Sequence, residues 1–245
     1  MKKTWSGLAP KQSQADLLML YWMAFAGLLI FLTVLLWKKR IWGMLLNADP
    51  TGITAVTILV FTASTVWVGF RCQQLRAERS AFVAAARQKS VHTSGNQTAI
   101  QTFLSTYPRT DILDRAPLID VLADRLHGPS EFMWWVNGIQ IKLGLLGKVV
   151  GFSILALQIS QVDNFDPSQT QNLLKSLTGG LSIALLTTAV GLVGNMLLGF
   201  QLTRLDRFVD TLLGETVEFA QGLHLQNLAN PAATAAVPAH TQATG

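Results

Sequence analysis

Residues 143–202 contain two long apolar runs joined by a short polar connection. The first run covers residues 143–162 and the second covers residues 178–202. As a helix, each run is about long enough to cross a hydrocarbon core ~30 Å thick, at a rise of ~1.5 Å per residue. The connection leaves only enough chain to turn back, so the sequence predicts a transmembrane helical hairpin. Polar residues inside the runs, such as Lys148 and Asn195, need a contact other than lipid.

The composition of the whole chain agrees with a membrane protein. Of its 245 residues, 50% are hydrophobic and only 13% are charged, whereas an ordinary soluble domain carries about a quarter charged residues. The formal charge of +5 would suit nucleic acid, but basic loops beside membrane spans give the same excess, so we expect no nucleic-acid partner. The sequence shows no catalytic set of residues, and its four histidines have no metal-ligand spacing. We therefore expect no enzymatic activity, no cofactor and no metal site.

Two further apolar runs precede the hairpin. Residues 17–37 follow a basic start and end in Lys38-Lys39-Arg40. This pattern resembles a secretory signal, but the run is too long and lacks a small-residue cleavage site, so we interpret it as a retained first span. Residues 53–70 form a weaker, semi-polar run with five Ser and Thr residues. Such a helix can pack in a bundle through small residues and hydroxyls.

The segment at 71–141, between the second and third spans, is predicted to be helical and intracellular. Its first part continues the second span, and a short helix is expected over 97–107. Another helix is predicted over 111–127, ending at Gly128-Pro129. Ser130 is then expected to be the N-cap of the helix that enters the third span.

The fold class predicted from these features is an all-α membrane protein. It has four transmembrane helices, a helical cytoplasmic segment between the second and third, and a cytoplasmic extension of the fourth. The predicted parts are a cytoplasmic N-terminus (1–16), the first span (17–37), the second span (53–70), the cytoplasmic helical segment (71–141), the third span (143–162), the fourth span (178–202), a cytoplasmic helical extension (203–228) and a disordered tail (229–245).

Basic residues predict the orientation of the chain. Four spans place both termini on the same side, and we predict that this side is the cytoplasm. In this orientation Lys148 is intramembrane, and only the Lys38-Lys39-Arg40 cluster and Lys175 lie outside. All other Lys and Arg residues are then cytoplasmic, as the positive-inside rule requires.

The hairpin carries two motifs at a characteristic separation. They are GLLGKVVGF at 144–152 and GGLSIALLTTAVGLVGNM at 179–196, followed by a basic helix through Arg204 and Arg207. With four spans, a large loop after the second and a short loop after the third, these motifs resemble the MotA/TolQ/ExbB family of ion-driven motor subunits. The resemblance covers about 131–222. It implies a multi-pass protein of the bacterial inner membrane.

The resemblance also implies partners and a mechanism. It implies that five copies of the chain surround two copies of a single-span partner similar to MotB, TolR or ExbD, within the lipid bilayer. The partner supplies a membrane aspartate, and a flow of H⁺ or Na⁺ down its gradient drives mechanical work. The sequence supports one part of this independently. No Asp, Glu or His lies in the four predicted spans, so a membrane carboxylate has to come from another chain.

Small residues recur along the third and fourth spans at helical spacing. They allow two helix backbones to approach closely, and we assign them to helix packing. Their density also suggests contacts between copies of the chain, which we expect to form a homo-oligomer. These candidate packing residues are Gly144, Gly147, Gly151, Gly180, Ala184 and Gly191.

Four polar residues of the hairpin are candidates for the ion pathway or the partner contact. They are Lys148, Thr187, Thr188 and Asn195. The threonine hydroxyls either replace part of an ion's water shell or only pack. In sodium-driven members of the family, a similar pair of threonines lies in the fourth span.

Two positions depart from the family pattern. Lys148 stands where the family typically has threonine, and Ile183 stands where TolQ and ExbB relatives carry glutamate. A cation in the pore repels the ion to be carried, so Lys148 is expected to pair with the partner's aspartate and gate the path. The alternatives are that Lys148 snorkels towards the headgroups near Lys142, or that desolvation leaves it neutral. The competing function is a gated or non-conducting scaffold or sensor with the same architecture.

Overall fold

The computed structural model contains five α-helices of eight or more residues within its described part. That part comprises residues 13–40, 42–43, 45, 49, 51–88, 98–110, 114–160 and 167–229. The helices are α1 (Ser13–Lys38), α2 (Ile53–Gln88), α3 (Ala99–Thr106), α4 (Arg115–Ser160) and α5 (Pro167–Ala229). The all-α class is therefore confirmed.

Four of the five helices are long and apolar enough to cross a membrane. They are α1, α2, α4 and α5, and together they contain the four apolar runs found in the sequence, except residues 161–162, which lie outside the described part. This is the organisation of a multi-pass membrane protein. Both α2 and α5 continue far beyond their apolar runs, because no Gly-Pro or turn sequence interrupts them. The expected tail at 229–245 and N-terminus at 1–16 lie almost entirely outside the described residues.

The helix break expected at Gly128-Pro129 is wrong. The structure has one continuous helix, α4, with Pro129 in its interior, and Ser130 is an interior helical residue rather than an N-cap. Proline removes one backbone hydrogen bond and costs about 3 kcal/mol in a helix interior. Side chains on both sides of it, Leu126 and Met133, are buried. Burial of the flanking turns offsets the local cost of the proline. The residue pattern alone did not reveal this burial.

The chain divides into two compact units. The membrane unit comprises residues 16–74 and 129–206 and contains the apolar runs. The extension unit comprises residues 75–128 and 207–245, together with residues 1–15, as far as these are described.

The interior of the extension unit combines aromatic packing with one buried charge. The Phe82 and Phe219 rings pack edge-on, with their centroids 5.7 Å apart. Arg79 is only 1% exposed, and its guanidinium donates to the Glu215 carboxylate at 2.5 Å. The same guanidinium lies over the Phe82 ring, 5.5 Å from its centroid. This pairing makes burial of the charge tolerable.

The short helix α3 begins in a strong N-terminal cap. Thr98 and Gln101 form a capping box, in which each side chain accepts from the other residue's backbone N–H. The Glu78 carboxylate accepts from the next two backbone N–H groups, those of Ala99 and Ile100, at 3.1 Å each. Negative charge at a helix N-terminus is favourable. The predicted helix at 97–107 is thus present as an eight-residue helix.

Asp49 organises the start of α2. Its carboxylate accepts from the backbone N–H of Thr51 at 2.9 Å and from that of Thr54 at 2.7 Å, and also from the Thr51 hydroxyl. Gly52 has a φ of +74°, a conformation that glycine adopts without strain. Burial by itself raises the pKa of Asp49, but these hydrogen bonds outweigh it and lower the pKa. Asp49 and Gly52 thus order the backbone that enters α2.

Candidate functional site in the helical hairpin

The glycines of the hairpin bring the backbones of α4 and α5 into direct contact. A Cβ atom added to Gly151 would lie 2.8 Å from the Ala184 nitrogen and 3.0 Å from the Gly180 carbonyl oxygen. A Cβ atom added to Gly191 would lie 2.8 Å from the Gln140 carbonyl oxygen. No side chain fits into these gaps without separating the helices. The small residues are therefore used for a contact within a single chain.

Thr187 lies inside this contact. A Cβ atom on Gly147 would overlap its side chain, and one on Gly144 would lie 3.2 Å from its carbonyl oxygen. Thr187 is only 1% exposed, and its hydroxyl donates to the Ile183 carbonyl at 2.8 Å. The hydroxyl thus faces the interior of the hairpin and does not lie on an open surface of the chain.

Thr188 and Asn195 connect the two helices through hydrogen bonds. The Thr188 hydroxyl donates to the Ala184 carbonyl at 2.7 Å, and the Gly144 carbonyl across the interface lies 3.3 Å away. The Asn195 side-chain amide donates to the Asn137 carbonyl at 2.8 Å. Hydrogen bonds of this kind help to hold helices together in a membrane. Both side chains are partly buried.

Lys148 is different from the other three polar candidates because its side chain is exposed. Within the described part of the chain, it makes no hydrogen bond and no ion pair. Its neighbours on α4, Leu145, Val149 and Phe152, are also exposed and apolar. A lone cation therefore lies on an apolar surface that none of the described residues covers.

Ile183 shows why one departure from the family pattern suits this chain. Its side chain is only 6% exposed and lies next to Ala184, at the hairpin contact. An ionised glutamate buried there would cost several kcal/mol unless it were paired. An apolar residue at 183 is thus consistent with the packing of this hairpin.

Sequence analysis missed a group of buried amides at one end of the hairpin. Gln140 is fully buried, and Asn137 and Gln201 are each 6% exposed. The Gln201 amide donates to the Thr65 hydroxyl at 3.3 Å. The side-chain amide of Gln140 makes no hydrogen bond with any described residue.

A signal for two of these amides was present in the sequence. Asn137 and Gln140 precede Gly144, Gly147 and Gly151 at spacings of three and four residues, so all five lie on one face of α4. The third span was predicted to begin at residue 143, which cut this stripe in two. Following it towards the N-terminus would have placed both amides in the hairpin contact.

Of the four polar candidates in the hairpin, Lys148 is the one that carries a charge, and its side chain is exposed. Among the residues that the structure describes, no three His, Cys, Asp or Glu side chains come close enough to hold a metal ion. No family model, no curated protein and no solved structure matches the chain. The resemblance to the MotA/TolQ/ExbB family therefore stays a prediction from the motifs at 144–152 and 179–196.

Proposed function

We propose that this chain is the ring-forming subunit of an ion-driven membrane motor, as its resemblance to the MotA/TolQ/ExbB family implies. In this proposal, five copies surround two copies of a single-span partner that carries a membrane aspartate. Flow of H⁺ or Na⁺ past this aspartate performs mechanical work. Support comes from the four helices that are long and apolar enough to span a membrane, and from the close hairpin of α4 and α5.

The observation that carries the proposal is the lone cation of Lys148. A charged lysine at the centre of a membrane helix costs about 2.5 to 3.5 kcal/mol on insertion scales, and Lys148, the sixth residue of the run at 143–162, incurs part of this cost. The four apolar runs supply no counter-charge, because they contain no Asp or Glu. A carboxylate on a partner helix would offset this cost, because the positive charge of Lys148 attracts it. The partner's aspartate is therefore proposed to pair with Lys148 on the exposed face of α4.

A competing reading leaves Lys148 without a protein partner. Lys142 is six residues earlier on the same helix, which corresponds to about 9 Å of rise. The long stem of Lys148 can carry its ammonium part of that distance towards the headgroups. In this case the lysine only anchors the helix, and no ion pair forms.

A second candidate function is a gated or non-conducting ring with the same architecture. The observation that favours it is the environment of the two threonines. The Thr187 hydroxyl is buried in the hairpin, and both hydroxyls donate to backbone carbonyls. The Thr187 hydroxyl, one of the two that were candidates to replace part of an ion's water shell, thus lies away from the surface of the chain. A lysine that closes the path would complete such a gate.

The test is ion flux through the reconstituted complex with Lys148→Thr, the residue that the family pattern has at this position. The complex is purified with the single-span protein that co-purifies with the chain, and it is reconstituted into liposomes. We expect flux to rise, because the positive charge is removed from the path. We also expect retention of the partner to fall about tenfold or more, because its carboxylate loses its counter-charge.

Lys142→Thr is the matched control, since it removes an exposed lysine from the same helix. It should change neither flux nor partner retention. If Lys148→Thr also leaves both unchanged, Lys148 only snorkels and the gate is ruled out. If partner retention falls but no flux appears under any ion gradient, the non-conducting scaffold is the better description.

A further inference from the structure

A small cleft lies between α1, α2 and α5 within the membrane unit. Its volume is about 40 Å³, and its walls are mostly apolar. The side chains that line it with polar groups include Gln201 and Arg204. The Gln201 amide is held in place by its donation to the Thr65 hydroxyl. The apolar part of the wall includes Leu18, Trp22, Phe25, Val68 and Leu205.

Arg204 provides an available cation at the edge of this cleft. Its guanidinium lies over two aromatic rings, 5.8 Å from the Tyr21 centroid and 5.3 Å from the Phe200 centroid. Across the described ranges of the chain it makes no ion pair and no hydrogen bond. The rings orient the planar group and leave its N–H groups available. Such a group is suited to bind a phosphate through two parallel hydrogen bonds.

The cleft lies where the apolar runs give way to charged residues. The run of α1 begins just after Asp16, that of α2 ends just before Arg71, and that of α5 ends shortly before Arg204. Both Tyr21 and Trp22 line the cleft and lie in the first two turns of the α1 run. Trp and Tyr side chains concentrate at the boundary between membrane and water. Arg204 is therefore at the height of the lipid headgroups.

We propose that this cleft binds one anionic phospholipid. The Arg204 guanidinium holds the headgroup phosphate, and part of an acyl chain lies against Phe25, Val68 and Leu205. An anionic lipid is favoured because Arg204 has no acidic partner in the described chain, so the site keeps a net positive charge. A zwitterionic lipid such as phosphatidylcholine brings its own cation to this position, which the guanidinium repels. The proposal is independent of the motor function.

Native mass spectrometry of the protein in nanodiscs tests the proposal. The nanodiscs contain equal amounts of phosphatidylglycerol and phosphatidylcholine, and the lipids retained after release are counted for each variant. We expect the wild type to retain phosphatidylglycerol preferentially. We expect Arg204→Gln to weaken this retention by about fivefold, the loss of one basic contact with an anionic lipid. Because Arg204 is exposed, this variant should fold.

Arg207→Gln is the matched control, since it removes an equally exposed arginine one turn later on α5. It should retain phosphatidylglycerol like the wild type. Equal loss in the two variants would show only a general attraction of basic residues for anionic lipid, and would overturn the proposal. Retention of phosphatidylcholine as strong as that of phosphatidylglycerol would overturn it as well.

Val68→Phe tests the position of the acyl chain. Val68 lines the cleft and is 1% exposed, so a larger side chain there fills the cleft while Arg204 stays in place. We expect phosphatidylglycerol retention to fall as it does in Arg204→Gln. Wild-type retention in a folded Val68→Phe protein would show that the lipid does not enter the cleft, contrary to the proposal. If this variant does not accumulate, the comparison of Arg204→Gln with Arg207→Gln decides alone.

Discussion

Each of the two units is held together internally by a different kind of contact. In the membrane unit, α4 and α5 touch through glycines and through hydrogen bonds from Thr188 and Asn195. In the extension unit, large side chains such as Phe82 and Phe219 fill the interior, and Arg79 pairs with Glu215. The first contact depends on small residues, whereas the second depends on bulk and charge.

The difference is the one expected when lipid surrounds the membrane unit and water surrounds the extension unit. In water, burial of apolar surface stabilises a contact by about 25 cal/mol per Å², so large side chains are favoured. Lipid is as apolar as a leucine side chain, so bulk by itself gains little between membrane helices. Close backbone approach and interhelical hydrogen bonds become the main attractions instead. Substitutions should therefore affect the stability of the two units differently. A larger side chain at a glycine contact should destabilise the membrane unit, and loss of a charge from the buried ion pair should destabilise the extension unit.

The largest effect is expected from Gly151→Leu. The new side chain would meet the backbone of Ala184 and Gly180, which cannot move without separating α4 from α5. We expect a loss of about 3 kcal/mol or more in stability, seen as lower yield and lower Tm in detergent. Because the glycine contact lies within one chain, the loss should appear even under conditions that keep the protein monomeric.

Gly138→Leu is the control for this substitution. Gly138 lies on the same helix, and no atom lies within 4 Å of a Cβ added there. This variant should keep wild-type Tm. Equal Tm for both variants would show that close approach at Gly151 does not hold the hairpin.

An intermediate effect is expected from Glu215→Gln in the extension unit. The substitution keeps the shape of the side chain but leaves the Arg79 charge buried without its counter-charge. Loss of one member of a buried pair costs about 3 to 5 kcal/mol, and the partial exposure of Glu215 reduces this to about 2 kcal/mol. Thermal unfolding measures the difference. Glu218→Gln, an exposed glutamate one turn later, is the control and should have no effect.

The double variant Arg79→Met with Glu215→Leu sharpens this test. Two apolar side chains of similar size remove the buried charge together with its partner, so the double variant should be more stable than Glu215→Gln. A double variant less stable than the single one would show that the pair itself, rather than the unpaired charge, controls stability.

The smallest effect is expected from Asp49→Asn, in the connection between α1 and α2. Asn still accepts a hydrogen bond at the start of α2 but lacks the negative charge, so the substitution should cost about 0.3 to 1 kcal/mol. The pKa of Asp49 is lowered in the folded state from its ordinary value of 3.8. The stabilisation is therefore fully present above that value, and it is lost as pH falls through the lowered pKa. A Tm difference from wild type that is just as large at the acidic end of a pH series would contradict this role.

The sequence predicted where the helices of this chain lie better than it predicted which of their residues are buried. Long apolar runs identified the spans, because this signal depends on neighbouring residues only, and the short helix expected over 97–107 is present as α3. The break expected at Gly128-Pro129 was wrong for the opposite reason. Whether a helix continues through proline depends on burial of Leu126 and Met133, which a local pattern does not report.

The candidate residues of the hairpin show the same limit. Lys148 and Thr187 are both polar residues in an apolar run, and both were candidates for the ion pathway or the partner contact. Only the tertiary structure separates them, since Lys148 is exposed and Thr187 is buried against Gly147.

The sequence by itself determined that the chain has four helices able to cross a membrane, because hydrophobic length along one segment is enough to specify a span. Only the tertiary structure decided which polar groups face a neighbouring helix and which remain open to a partner or to lipid. The physical reason is that both faces of a membrane helix are apolar. Hydrophobic periodicity, which marks the buried face of a helix in water, therefore carries little information here.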